Sequence, residues 1–148
     1  MLRLPNLGLL KMQLNKILFE RIAKEAALSP RLRKAFDLRD SENENSQRML
    51  NVLQPGTKTP IHRHQNSSEI VICIYGSAIE RFYDQYGNEV ETVKMAAGSD
   101  TPGVVVEIGR YHSLEATDQL GVVFSAKAGS YEKIKAEDIL NTSIINIK

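Results

Sequence analysis

A chain of 148 residues with 42% hydrophobic content is the size of one globular domain with a sizeable buried core. Nineteen basic residues against eighteen acidic ones leave a net charge of +1 with no long basic run, so the electrostatic footprint of a nucleic-acid binder is missing. No apolar run approaches the about 20 residues of a membrane helix, and a single cysteine, Cys73, cannot close an internal disulfide.

Residues 1–10 are apolar, but Lys11, Lys16, Glu20 and Arg21 follow too closely for a signal-peptide core, and no small-residue cleavage pattern is present. The expected location is cytoplasmic. Met12 offers an alternative start that would make residues 1–11 an extension. Within the first thirty residues, Leu14, Ile17, Leu18, Ile22 and Ala26 recur at helical spacing, with Lys16, Glu20, Lys24 and Glu25 largely on the other faces. This predicts one amphipathic helix, packed against the rest of the chain or a second subunit. Ser29-Pro30 ends it and can begin a short second helix over residues 31–38.

Residues 40–46 are polar and acidic, as a loop requires. Beyond them the chain predicts short strands at 47–53, 57–64, 69–75, 77–83, 89–95, 104–108, 111–116 and 121–126, with turns at Gly76 and at Tyr86-Gly87-Asn88. Such spacing argues for an antiparallel sandwich or small barrel. The expected organisation is one structural domain with a helical segment over 1–40, a barrel over 41–130 and a tail over 131–148. In that tail, residues 133–140 are expected to form a short helix on the outside. Cys73 falls in an apolar run, where packing is the simplest role.

The chemistry concentrates between Gly56 and Gly76. His62 and His64 are two apart, so an extended chain points both imidazoles the same way, the geometry of two ligands on one metal. The turn-forming run Gln65-Asn66-Ser67-Ser68 then brings the carboxylate of Glu69 back beside them. His112, the last of the three histidines, follows the turn residue Gly109. Nitrogen-rich ligands favour one divalent transition metal ion, iron, manganese, nickel, cobalt, copper or zinc, over magnesium or calcium. Four ligands on an ion that takes about six leave about two positions for water, oxygen or substrate. Metal affinity is expected to fall with acidification as the imidazoles protonate.

Gly56, His62, His64, Glu69 and Gly76 match the first cupin motif, G-x5-H-x-H-x4-E-x6-G, at every fixed position. Gly109 and His112 fit the G-x2-H of the second, although Glu107 stands where proline is usual and Ala116 where asparagine is usual. More closely, Ser29-Pro30-Arg31-Leu32-Arg33, Arg48-Met49-Leu50-Asn51 and Leu53-Gln54-Pro55-Gly56 resemble the WbuC family of cupin-fold metalloproteins. The resemblance implies a mostly β protein with a cupin-type double-stranded β-helix, or jelly-roll barrel, behind an N-terminal helical segment. A metal in the barrel mouth and an association with bacterial surface-polysaccharide (O-antigen, lipopolysaccharide) biosynthesis are also implied, but no particular reaction. Cupin barrels often pair, so a homodimer is expected.

Other polar residues are weaker candidates. Alternation turns Arg63 outward. Tyr75 shares the parity of Glu69 and is a candidate pocket residue. Arg48 and Asn51 have opposite parity, so an unbulged strand cannot turn both inward. Arg81, with Ile79 and Tyr83 on its face, would bind carboxylate or phosphate if it pointed inward. For these residues and for Tyr83 and Tyr111, packing or surface exposure is the simpler account. Two functional classes stay open: a metalloenzyme activating a small polar, sugar-like substrate through isomerisation, epimerisation or oxygenation, and a metal-dependent cupin that binds a small molecule without turnover.

Overall fold

The computed structural model describes residues 12–140. Helix α1, Lys16–Leu28, starts at Asn15, whose side chain accepts a hydrogen bond from the Leu18 amide at 3.0 Å and so satisfies one of the free donors of the first turn. It buries Leu18, Phe19, Ile22, Ala23 and Ala26. Leu14 and Ile17, two of the apolar positions expected to pack on the barrel or on a second subunit, do not pack on the barrel, Ile17 being 79% exposed. The part of the predicted helix before Met12 lies outside the described residues.

Eight strands follow: β1 Arg33–Asp37, β2 Ser46–Leu53, β3 Glu69–Tyr75, β4 Ser77–Tyr83, β5 Glu89–Ala96, β6 Gly103–Val106, β7 Tyr111–Ala116 and β8 Gly121–Ala128. They form a five-stranded sheet, β1-β2-β8-β3-β6, and a three-stranded sheet, β5-β4-β7, with every pairing antiparallel. This is the jelly-roll barrel with a short N-terminal helix that the sequence predicts. Both faces of β2 are buried. Leu50 and Val52 pack outward with Phe36 and Val122 under α1, while Leu53 faces inward with Val71, Phe82, Met95 and Val123 to close the barrel interior. The helix therefore acts as a cover on the larger sheet, and each large apolar side chain it buries contributes about 1.5–3 kcal/mol.

The expected second helix over 31–38 is a strand. Leu32 takes a left-handed conformation, φ 55°, and its amide closes a turn onto the Ser29 carbonyl, so the chain leaves the turn extended. Pairing with β2, from Arg33 opposite Leu53 to Asp37 opposite Met49, outweighs the helix propensity of the segment. Between β1 and β2, the acidic loop is held by Arg39, which is buried against Asp37 and donates to the carbonyls of Glu42 and Glu44.

The expected strand over 57–64 is an arm that touches β7 only at intervals. Thr59 donates to the Leu114 carbonyl, and His62 exchanges backbone hydrogen bonds with His112 at 3.0 and 2.8 Å. Pro60 has no N–H and interrupts the ladder. The tail also departs from expectation: a single 3-10 turn, Ala136–Asp138, replaces the helix over 133–140. It lies beside the arm, where the Asp138 carbonyl accepts from the Arg63 amide and the Leu140 amide donates to Ile61. Strand β6 ends at Val106, short of the expected Ile108. Gly76 makes the β3–β4 turn at φ 65°, and a Cβ there would stand 1.9 Å from the Leu120 carbonyl oxygen.

Candidate metal centre

The arm and β7 bring three histidines together at one end of the barrel interior. The ring centroids of His62 and His112 are 4.3 Å apart, those of His62 and His64 5.1 Å, and those of His64 and His112 5.3 Å. One ring nitrogen from each lies within 4.8 Å of the others. Neighbouring donors on one ion with bonds near 2.1 Å stand about 3.0–3.4 Å apart, so side-chain rotations that draw the rings together would close the set. Glu69, the first residue of β3, is buried with its Oε1 3.7 Å from His64 Nε2, outside that cluster of three but beside it.

Hydrogen bonds decide which nitrogen is presented. His62 Nδ1 lies 2.7 Å from the Pro60 carbonyl, which can only accept, so Nδ1 carries the proton and Nε2 is left with a lone pair. His112 Nδ1 is hydrogen-bonded to Glu80 Oε1, and its Nε2 is buried with no partner at all. An orphaned buried nitrogen beside two further imidazoles fits the donor set of a metal ion. Glu69 Oε2 accepts from Gln47 at 3.4 Å, and the same amide donates to Ser125 Oγ at 3.3 Å.

Burial also fixes protonation. It is the largest cause holding His62 and His64 down to about 3 and His112 down to about 4; mutual repulsion among the rings adds to it for the first two, and the charge of Arg110 for the third. All three are neutral near pH 7, with lone pairs available. Glu69 is pushed up to about 7, first by burial and then by the charge of Glu80. Burial raises Glu80 well above the usual carboxylate range.

Glu80 was not among the sequence candidates. It is 1% exposed and sits between Ala78 and Phe82 on the inward face of β4, so a carboxylate on an apolar face was the available signal. The opposite face of β4 carries Arg81, which is not a pocket residue: it pairs outward with Glu115 and Glu89. Tyr75 is also not in the pocket. A bulge between Cys73 and Tyr75 reverses its parity, and its ring packs 5.7 Å from that of Phe19 under α1. Asn51 faces the cavity, while Arg48 turns out to Glu44. Arg63 faces away over the Tyr111 ring and pairs with Asp138; Tyr83 bonds Ser113; Cys73 is buried in the core.

A cavity of about 300 Å³ opens from the histidines. Its walls combine apolar Met49, Leu53 and Val71 with polar Asn51, Arg33 and Lys127. A closed jelly roll, an open cavity and a histidine cluster able to hold a metal define a cupin-fold protein. Within that class the chain belongs to the family described as a domain of unknown function, DUF6016, whose model matches residues 14–95.

No curated protein matches the chain. Among solved structures it is similar to TT1209 from Thermus thermophilus, with a TM-score of 0.58 and 17% identity over 80% of this chain and 98% of that one. It is similar to oxalate oxidase in complex with the substrate analogue glycolate, at TM-score 0.58 and 16% identity over 72% of this chain. Oxalate decarboxylase of Bacillus subtilis, a protein with Mn(II) centres, gives 0.53 and 19% identity over 68% of this chain. The chain spans 56% of that oxalate oxidase and 26% of the decarboxylase. At these identities the likeness is one of fold.

Proposed function

We propose that this chain is a cupin metalloenzyme that holds one divalent transition metal ion on His62, His64, Glu69 and His112. It acts on a small polar, sugar-like substrate in bacterial surface-polysaccharide biosynthesis, through isomerisation, epimerisation or oxygenation. The observation that carries the metal assignment is the buried, unpartnered Nε2 of His112 facing two further neutral imidazoles. The sequence resemblance to the WbuC family supports the polysaccharide assignment.

The bound ion would polarise a substrate oxygen, lower the pKa of a water or, if redox-active, react with dioxygen. The chain's own residues prepare the place. The Pro60 carbonyl and Glu80 fix the orientation of His62 and His112, and Gln47 holds Glu69. Met49, Leu53, Val71 and Leu114 keep the inner wall apolar.

In this reading the protein works in the cytoplasm as a homodimer. Ile70 and Val105, paired across β3 and β6, and the neighbouring Ile72 form an exposed apolar strip on the outer face of the larger sheet, beyond the reach of α1. No helix among the described residues is long and apolar enough to cross a membrane. The test of function is a panel of sugars and sugar derivatives incubated with the metal-loaded protein. Product formation that is lost in His112→Ala supports the enzyme, whereas tight binding without product shows a binding protein instead.

A further inference from the structure

Among the described residues Arg39, Arg48, Arg63, Arg81 and Arg110 each pair with a carboxylate. Arg33, like Arg21 and Arg31, does not. Its position on β1 turns it into the cavity that holds the three imidazoles, and among the described residues it has no ion pair and no side-chain hydrogen bond. Asn51 lies on the neighbouring strand, opposite Ala35 and so diagonal to Arg33, and its amide is likewise unbonded in the same cavity.

The surroundings sharpen the contrast. Arg33 is half-buried, and its pKa is lowered by burial and then by the charge of Arg31, while Tyr131 acts in the other direction. Arg31 and Lys133 add positive charge around the cavity beside Glu132, while the other two acidic side chains of its lining, Glu69 and Glu80, stand at the histidine end. On the other flank Lys127, also without an ion pair, bears electrostatically on His64 and Glu69. A desolvated guanidinium with five fixed donors and no counter-ion is matched by a planar or tetrahedral oxyanion, which it can bind through two parallel hydrogen bonds.

We propose that the cavity takes a small anion, a molecule of about monosaccharide size, whose carboxylate or phosphate group is held by Arg33 and Asn51 while its polar body extends toward His62, His64 and His112. The size follows from the cavity, whose volume of about 300 Å³ is at the small end of the range for small-molecule sites. This inference rests on the reading of the same cavity as a metal centre, and deepens it by naming the charge of the substrate.

Calorimetric titration of the zinc-loaded protein with glucose, glucuronate and glucose 1-phosphate tests it, the two acids separating carboxylate from phosphate. At least one acid should bind more tightly than glucose by about tenfold or more. Arg33→Gln should remove that advantage while leaving zinc affinity unchanged, and Arg33→Lys should recover part of it. Arg81→Gln, on the outer surface, should behave as wild type. Equal binding of glucose and the acids, no binding of either acid at millimolar concentration, or retention of the advantage in a folded Arg33→Gln protein overturns the inference. Zinc uptake without acid binding would remove the anion site alone. Acid binding that needs Arg33 in a protein that takes up no zinc would remove the metal assignment and leave the anion site standing.

Discussion

At the scale of single residues, Glu80 and Glu69 have separable effects on metal affinity. Glu80 touches His112 at Nδ1, on the side away from the other imidazoles, and so orients a ligand without being one of the proposed four. Glu80→Ala should weaken zinc binding about 10–100-fold in a chelator competition, the usual cost of losing a hydrogen-bond partner behind a metal ligand. Glu80→Gln, whose amide oxygen can still accept from Nδ1, should recover most of that loss.

The pH dependence falls to Glu69. With the three imidazoles held at about 3 to 4, protons do not compete at nitrogen between pH 8 and pH 5. Burial thus moves the expected imidazole titration out of this range. Glu69, pushed up to about 7, must instead release a proton to bind the ion. Affinity should therefore fall as pH drops below 7, approaching about tenfold per unit, and Glu69→Gln should flatten the profile. A titration at pH 8, 7, 6 and 5 with both proteins checks this.

Among elements, α1 is a structural cover rather than part of the site. Ile22 is fully buried against the outer face of the larger sheet, so Ile22→Ala should cost about 2–5 kcal/mol in chemical denaturation without changing metal affinity. The strands were legible where one period served one face. Residues 69–75, 77–83 and 111–116 are strands with the expected bounds. β1 was not legible because Arg33, Ala35 and Phe36 answer to two environments at once, the cavity and the helix, and local sequence does not show which partner strand will be present. Tyr75 shows the same limit on a smaller scale: one extra residue in β3 reverses its face, and nothing in an apolar run of residues announces a bulge. The histidines were legible because their spacing is itself the signal; Arg33 and Lys127 were not, since their importance lies in lacking partners that only the fold could supply.

For the whole molecule, burial of the site makes stability depend on acid. Below the ordinary histidine value of 6.5 the unfolded chain binds protons that the folded metal-free chain refuses, so His62, His64 and His112 make stability fall as pH drops. Glu69 and Glu80 oppose this above about 4.5, because there the folded state holds protons that the unfolded state has released. Their opposition ends once unfolded carboxylates are protonated too. The metal-free protein should therefore lose stability gently from pH 6.5 to about 4.5 and steeply below, as thermal melts across that range would show. In the proposed dimer, light scattering should give twice the 16.6 kDa chain mass, and Ile72→Lys with Val105→Lys should return a folded monomer.

The most direct measurement is elemental analysis of metal in protein purified without chelator, compared among wild type, His62→Ala and His112→Ala. One transition metal ion per wild-type chain, falling sharply in both folded variants, is the predicted result. A wild-type protein free of metal even after incubation with zinc, iron or manganese, or a stoichiometry unchanged by either substitution, would contradict it.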